Sequence, residues 1–206
     1  MPDTSADTWT RALPSAKKRQ PNFLRSFKPV VDRRSRGLIL GTMPGPEALR
    51  RRQYYGFPGN HFWPVIQALF GVGDRPLSYP EKIRLLKTNR IALWDVIASC
   101  QRTGAGDSSI RRVTPNRIPE LLKKYPNIRT VFVNGKTAER LFRMHFGEKV
   151  RLPVRCLPST SPAYAAMSFV RKLSRWKSIR SATALGFSEA LPEIPGGDDR
   201  DSLNNL

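Results

Sequence analysis

Four short apolar runs constrain the fold of this chain more than any other feature. They are Gly37-Leu-Ile-Leu-Gly41, Ile91-Ala-Leu-Trp94, Thr130-Val-Phe-Val133 and Val154-Arg-Cys-Leu157. Each is brief, mostly apolar and closed by small, polar or turn residues, the pattern of a buried strand. Segments of helical period lie between and after them. Ile118, Leu121, Leu122 and Tyr125 share one face, as do Ala138, Leu141, Phe142 and His145. A third stripe runs through Ala163, Ala166, Met167, Val170 and Leu173. Alternating strands and helices predict an α/β chain, with a four-stranded parallel sheet covered by helices. In open sheets of this kind the ligand binds at the carboxyl ends of the strands.

The charge says what kind of ligand to expect. Among 206 residues, Lys and Arg number 36 and Asp and Glu 16, a net charge of +20. Residues 1–36 carry +6, residues 37–186 carry +18 and residues 187–206 carry −4. Most of the excess therefore belongs to the folded middle, and a basic folded surface suits a polyanion such as nucleic acid. We read residues 1–35 as a flexible basic arm, 36–186 as the domain and 187–206 as a disordered acidic tail. No run reaches the ~18 apolar residues of a membrane span, and no secretory signal is seen at the N-terminus. Cys100 and Cys156 are too few for a four-cysteine metal site and read as reduced, buried thiols of a cytoplasmic protein.

The strand ends carry the chemistry. The first run leads into Gly41-Thr42-Met43-Pro44-Gly45-Pro46, a stiff loop whose backbone can approach a ligand closely. It is neither a P-loop nor a dinucleotide fingerprint. Next comes Gln53-Tyr-Tyr-Gly-Phe-Pro-Gly-Asn-His-Phe-Trp63, five aromatics in eleven residues. Phe62 and Trp63 suit the start of a core helix. Tyr54, Tyr55 and Asn60 on the connecting loop suit base stacking and polar recognition. The second run ends in Trp94-Asp95, the third in Val133-Asn134-Gly135 and the fourth in Leu157-Pro-Ser159-Thr160-Ser161-Pro162. A carboxylate, an amide and a hydroxyl-rich loop thus converge on one sheet edge. His61 and His145 are the two histidines and belong to no Ser-His-Asp set, and His145 reads as a satisfied core residue. The zinc-deaminase signature is absent.

Taken in order, these stretches resemble the uracil-DNA glycosylase superfamily, and within it the hypoxanthine-DNA (deoxyinosine) glycosylase family. The resemblance runs over roughly residues 36–182, and the Tyr-Tyr-x-x-Pro-x-Asn-x-Phe-Trp block is its most specific part. It implies a three-layer α/β/α fold and a flipped base held at the strand ends. It places Asn60 at the position of the family's catalytic Asn, Asn134 at an Asn supporting the base pocket and Asp95 at a base-reading position. Two departures stand out. Many superfamily members carry His where this chain has Leu157, which counts against strong uracil excision. The family often has Asn where this chain has Tyr164.

The chemistry expected of such a site is hydrolysis of an N-glycosidic bond after base extrusion. An ionised Asp95 accepts N1–H of hypoxanthine, which adenine lacks. Backbone N–H groups of the Gly41–Gly45 loop, or the Asn134 amide, donate to O6 or N7. Asn60 positions the attacking water through its carbonyl, and Tyr54 or Tyr55 covers the base face. Ser159, Thr160 and Ser161 contact phosphates. Arg171, Lys172 and Arg175 form an exposed basic flank on a helix following Pro162. No metal or organic cofactor is called for, and a monomer acting on DNA with deaminated bases is expected, associated with the nucleoid in a bacterium. Two alternatives remain open: a uracil or broad-range glycosylase, and a non-catalytic single-strand binder.

Overall fold

A computed structural model describes residues 23–184. All four apolar runs are strands: β2 (Gly37–Gly41), β3 (Ile91–Asp95), β6 (Thr130–Asn134) and β7 (Val154–Leu157). They form one parallel sheet in the order β3-β2-β6-β7. Every residue of β2, β3 and β6 is buried, which a sheet achieves only when helices cover both faces. The architecture is therefore the expected three-layer α/β/α sandwich. Chain order reverses across β2, with β3 on one side and β6 on the other. This is the switch point where the strand ends leave a crevice.

The covering helices start where local chemistry stops the preceding loop. Two of them, α1 (Pro46–Arg51) and α2 (Phe62–Leu69), precede β3 and follow the two loops that line the crevice. Helix α3 (Tyr79–Thr88) opens with a capping box, in which Ser78 Oγ accepts from Glu81 N and the Glu81 carboxylate accepts from Ser78 N at 2.7 Å. Helix α4 (Ile118–Lys124) buries Ile118 and Leu121. Helix α5 (Lys136–Phe146) buries Ala138, Leu141 and Phe142, the expected stripe. His145 departs from expectation: it is half-buried, and its Nε2 is buried without a hydrogen-bond partner.

A second, three-stranded antiparallel sheet was not expected. Strand β4 (Ile97–Gln101) follows β3 almost at once and pairs with β1 (Phe23–Arg25) on one side and β5 (Arg111–Pro115) on the other. Residues 23–31, expected in the flexible arm, are instead part of the fold. Phe23–Arg25 is a strand, Val30 bridges to Leu93, and Leu24, Phe27, Val30 and Val31 pack on the core. Burial of these apolar side chains outweighs the repulsion among the basic residues between them. The rest of the arm, and the acidic tail at 187–206, lie outside the described residues.

The last predicted helix is corrected more sharply. Residues 161–168 are turns, and Ala163 and Ala166 are exposed. Helix α6 (Phe169–Trp176) starts at its Ser168 cap, whose hydroxyl accepts from Arg171 N, and α7 (Ser178–Thr183) follows it. That start rotates the buried face onto Phe169, Lys172, Leu173 and Trp176, leaving Val170 74% exposed. Lys172 is 1% exposed, so the flank imagined for Arg171, Lys172 and Arg175 does not exist as a trio; Arg171 and Arg175 alone face solvent. The Lys172 ammonium donates to Tyr164 O at 2.9 Å and sits 5.3 Å from the Tyr164 ring centroid. Burial pushes its pKa down. Lys172→Ala should cost about 2–4 kcal/mol through lost packing and an orphaned carbonyl. Lys172→Met keeps most of the packing and removes a buried charge but orphans the same carbonyl, so it should cost less than the alanine, about 1–2 kcal/mol. Urea unfolding of the two variants measures the difference.

Candidate active site

The site is built on Gly41, the last residue of β2. A Cβ placed there would lie 2.5 Å from Asp95 Oδ1 and 2.9 Å from the Tyr55 hydroxyl. A carboxylate and a phenol thus crowd the space beside a backbone that carries no side chain. Asp95 ends β3 and is 3% exposed. Its Oδ2 accepts from Ser26 Oγ at 2.6 Å, while Oδ1 has no hydrogen-bond partner among the described residues and stands beside Gly41. Burial pushes the Asp95 carboxyl up to about 7; Asp107 adds to the rise, while Ser26 and Arg102 oppose it. The expectation of a fully ionised Asp95 is corrected accordingly: it titrates near neutrality.

Asn134 ends β6 beside Gly41. Its Nδ2 donates to Tyr55 OH at 2.9 Å and to Thr160 Oγ1 at 2.9 Å, and its Oδ1 accepts from Thr160 N at 3.0 Å. Both N–H bonds are thereby used, so the amide does not reach a base; it braces the groups that line the pocket. Thr160 is fully buried on Asn134, so its hydroxyl cannot serve a phosphate. Ser159 and Ser161 are half-buried, and their hydroxyls accept from Ser161 N and Ala163 N, shaping the loop. The loop lies close to β6 because residue 135 is glycine. Its φ is +96°, and a Cβ there would meet the Ser159 side chain at 2.9 Å.

The aromatic loop divides into two parts. Tyr54 is buried edge-on to Phe27 with ring centroids 5.1 Å apart, and its hydroxyl donates to Lys28 O at 3.2 Å. It fastens the N-terminal segment and does not cover a base. Tyr55 keeps a place in the site. Its ring stacks on Phe62 at 3.9 Å and 14°, and burial pushes its hydroxyl pKa far up, so it stays a neutral donor. Asn60 sits ahead of helix α2, and its Oδ1 accepts from Phe62 N at 2.9 Å. One lone pair of the carbonyl expected to hold water is thus taken by the backbone, and among the described residues the Nδ2 group has no partner. His61 donates its backbone N–H to Thr160 O at 3.0 Å, linking the aromatic loop to the β7 loop.

Along Gly41–Gly45, the carbonyls of Gly41 and Thr42 accept from Val96 N and Ile97 N. The side chains of Thr42 and Met43 are buried, and Pro44 O accepts from Arg102 Nη2. Several residues that support the site escaped the sequence reading. Ser26 comes from the supposed arm, where Leu24, Phe27, Val30 and Val31 were the faint signal of packing. Arg102 and Asp107 come from the β4–β5 connection. Asn116 donates to Asp95 O at 2.8 Å and Ile97 O at 3.1 Å, holding the end of β3. Among the described residues, no three His, Cys, Asp or Glu side chains are grouped to hold a metal ion.

Comparison with known proteins agrees with this geometry. Residues 28–180 match the model of the uracil DNA glycosylase superfamily. A hypoxanthine DNA glycosylase of Methanosarcina acetivorans is 37% identical over 159 residues, covering 75% of this chain and 96% of that protein. One from Methanosarcina barkeri is 38% identical over 112 residues, covering 54% of this chain and 71% of that protein. A solution structure of a uracil DNA glycosylase candidate from Methanosarcina acetivorans superposes with a TM-score of 0.66 at 35% identity, over 79% of this chain and all of that one. With the parallel sheet, the crevice at its switch point and the paired loops at Gly41 and Leu157, these matches establish that the chain belongs to the uracil DNA glycosylase superfamily.

Proposed function

We propose that this protein is a monofunctional DNA glycosylase that extrudes hypoxanthine from DNA and hydrolyses its N-glycosidic bond. The observation that carries the reading is the free Oδ1 of Asp95 beside Gly41. A flipped hypoxanthine with its Watson–Crick edge on this atom donates N1–H to it, whereas adenine would present a lone pair to the same carboxylate. The Tyr55 hydroxyl accepts from Asn134, which leaves its own proton for O6. The likeness to two proteins named hypoxanthine DNA glycosylase supports the same base. Leu157 is buried and offers no polar group in place of the histidine used on uracil by many relatives.

In this reading Asn60, held in place by its bond from Phe62 N, donates one Nδ2 hydrogen to the attacking water and leaves that water's second lone pair for C1′. Its contribution is orientation, since an amide is not a base at neutral pH. Asn134 supports the reaction through Tyr55 and Thr160. The basic surface supplies the long-range attraction to DNA phosphates. No helix among the described residues is long and apolar enough to cross a membrane, and the substrate places the protein with the chromosome, acting as a monomer.

The test is a panel of oligonucleotides containing deoxyinosine, deoxyuridine or normal bases, incubated with and without chelator. Free hypoxanthine should appear from the deoxyinosine strand, with the backbone intact until alkali is added and with no loss to chelator. Deoxyuridine should react more slowly. Strand breaks without alkali, or no base release from deoxyinosine, would overturn the reading.

A further inference from the structure

The N-terminal segment reaches the site with one polar side chain. Ser26 directly follows strand β1, and its backbone N–H continues the ladder by donating to Ala98 O at 2.8 Å. Its hydroxyl donates to Asp95 Oδ2 at 2.6 Å. That distance suits a hydroxyl on an ionised oxygen. Among the described residues, Ser26 is the one side chain that hydrogen-bonds this carboxylate. The serine is itself held on both sides. Before it, β1 pairs with β4 from Phe23 opposite Gln101 to Arg25 opposite Ser99. After it, Phe27 O accepts from Trp94 Nε1 at 3.0 Å, and the Phe27 ring packs edge-on to Tyr54. Ser26 and Phe27 are thus tied to Asp95 and Trp94, two neighbours to two neighbours.

Fixing one carboxylate oxygen decides what the other can do. Rotation about Cβ–Cγ exchanges the two oxygens, and a proton on either turns an acceptor into a donor. Hypoxanthine presents N1–H, so a proton on Oδ1 would set donor against donor. A hydroxyl donating to Oδ2 fixes the plane of the group and favours its ionised form. Both effects matter here, because burial lifts the carboxyl to about 7 and leaves it only partly ionised at neutrality.

Building on the proposed glycosylase activity, we propose that Ser26 is a positioning residue for base recognition, whose hydroxyl pins Asp95 Oδ2 so that Oδ1 meets N1–H as a bare acceptor. The other titratable or charged groups acting on the carboxylate are Tyr54 and Tyr55 of the aromatic loop, Tyr79 of α3, and Arg102 and Asp107 of the β4–β5 connection. Burial pushes the three phenols up, so they stay neutral while Asp95 titrates. Arg102 and Asp107 oppose each other, the first favouring ionised Asp95 and the second disfavouring it. Ser26 both touches the carboxylate and favours its charge.

Single-turnover release from deoxyinosine DNA, measured from about pH 5 to about pH 9 with the full chain in excess, tests the proposal. Parent release should rise with pH and level off above ~7 as Asp95 ionises. In Ser26→Ala the ionised form loses its hydrogen bond, so the limb should move up by about one pH unit. Near pH ~6 the variant should be about 10-fold slower than the parent, and by pH ~9 within about threefold. The Cγ NMR signal of Asp95 in the DNA-free protein should shift its midpoint in the same direction and by a similar amount. Ser26→Thr keeps the donor and should hold the limb within about 0.3 unit of the parent. A merely structural role would slow Ser26→Ala by one factor at every pH, and that result overturns the proposal. So does a Ser26→Thr limb that moves as far as the alanine's; if Ser26→Thr does not fold, the alanine decides alone. A parent that releases no base overturns the glycosylase reading, and with it the use of Ser26, even where the Cγ signal shifts. An active parent whose limb coincides with that of Ser26→Ala overturns the role of Ser26 alone.

Discussion

Gly41→Ala should abolish measurable base release while leaving β2 in its place in the sheet. The backbone at Gly41 is an ordinary strand with no positive φ, so alanine is conformationally acceptable. The obstacle is space. The new methyl carbon would lie 2.5 Å from Asp95 Oδ1 and 2.9 Å from Tyr55 OH, and neither is the loose end of a flexible side chain. Asp95 is tied to Ser26, and Tyr55 is tied to Asn134 and stacked on Phe62. The methyl must displace one of them and occupy the place proposed for the base edge. Overpacking of this kind costs about 1–3 kcal/mol of stability. A displacement of about 1 Å at a reacting site costs roughly 10²-fold in rate, and direct obstruction costs more. We expect a loss of at least ~10³-fold in single-turnover release, since positioning and charge stabilisation are lost together. Gly45→Ala is the matched control. A Cβ there meets nothing within 4 Å, so its rate should stay within about twofold of the parent by the rule for open surface sites.

Asp95→Asn should slow hypoxanthine release by roughly 10²-fold, the size of a lost charge-stabilising contact, and should also reverse a pH-dependent weakness of the fold. The folded carboxyl is pushed up to about 7 from an ordinary 3.8, mainly by burial. Ser26, Arg102, Asp107, Tyr54, Tyr55 and Tyr79 are the polar groups that surround it. A raised acid is favoured folded when protonated and disfavoured when ionised. Its stabilising contribution is complete below pH ~4 and is lost as pH rises through ~7. At about 1.4 kcal/mol per unit, the loss is on the order of 4 kcal/mol. The amide of the Asp95→Asn variant carries no such penalty, so the variant's melting temperature should pass that of the parent as pH rises from about 5 to about 8.5. The rates should show the counterpart. Parent release should climb with pH and level off above ~7, as Asp95 ionises and accepts N1–H, while the variant's release should be flat through that range. Equal melting temperatures at both pH extremes would show that the carboxyl is not raised. A parent rate without a limb near pH ~7 would remove ionised Asp95 from base recognition.

Asp95 and the serine that holds it separate what could be read along the chain from what could not. Asp95 was legible: an acid closing an apolar run stands at a strand end, and strand ends line the crevice of a parallel sheet. Gly41 and Asn134 were legible for the same reason. Ser26 was not, because 69 residues separate it from its partner and its neighbours include Arg25 and Lys28, which gave the segment the look of an arm. Only the pairing of β1 with β4 brings it to the carboxylate. Arg102 and Asp107 were missed because the chain after Asp95 turns at once into a second sheet, and nothing in its weak alternation announced strand β4.

The residues that changed roles tell the same story from the other side. Tyr54 and Tyr55 are adjacent and chemically alike, yet one fastens Phe27 and the other lines the pocket, because the positive φ of Tyr55 turns the two side chains apart. Asn134 stands where expected, but its hydrogens are spent on Tyr55 and Thr160. Lys172 has the residue type of a DNA contact and the position of a core residue, because Ser168 starts its helix six residues later than Pro162 suggested. The sequence alone determined the four parallel strands, the edge of the sheet that holds the site and the residue types that reach it, since apolar runs and turn residues act over a few neighbours. The tertiary structure decided which polar atoms remain free, which carboxylate is sealed and which lysine is buried. Each of those outcomes depends on a partner brought from a distant part of the chain, and desolvation and hydrogen bonding take effect only after that partner arrives.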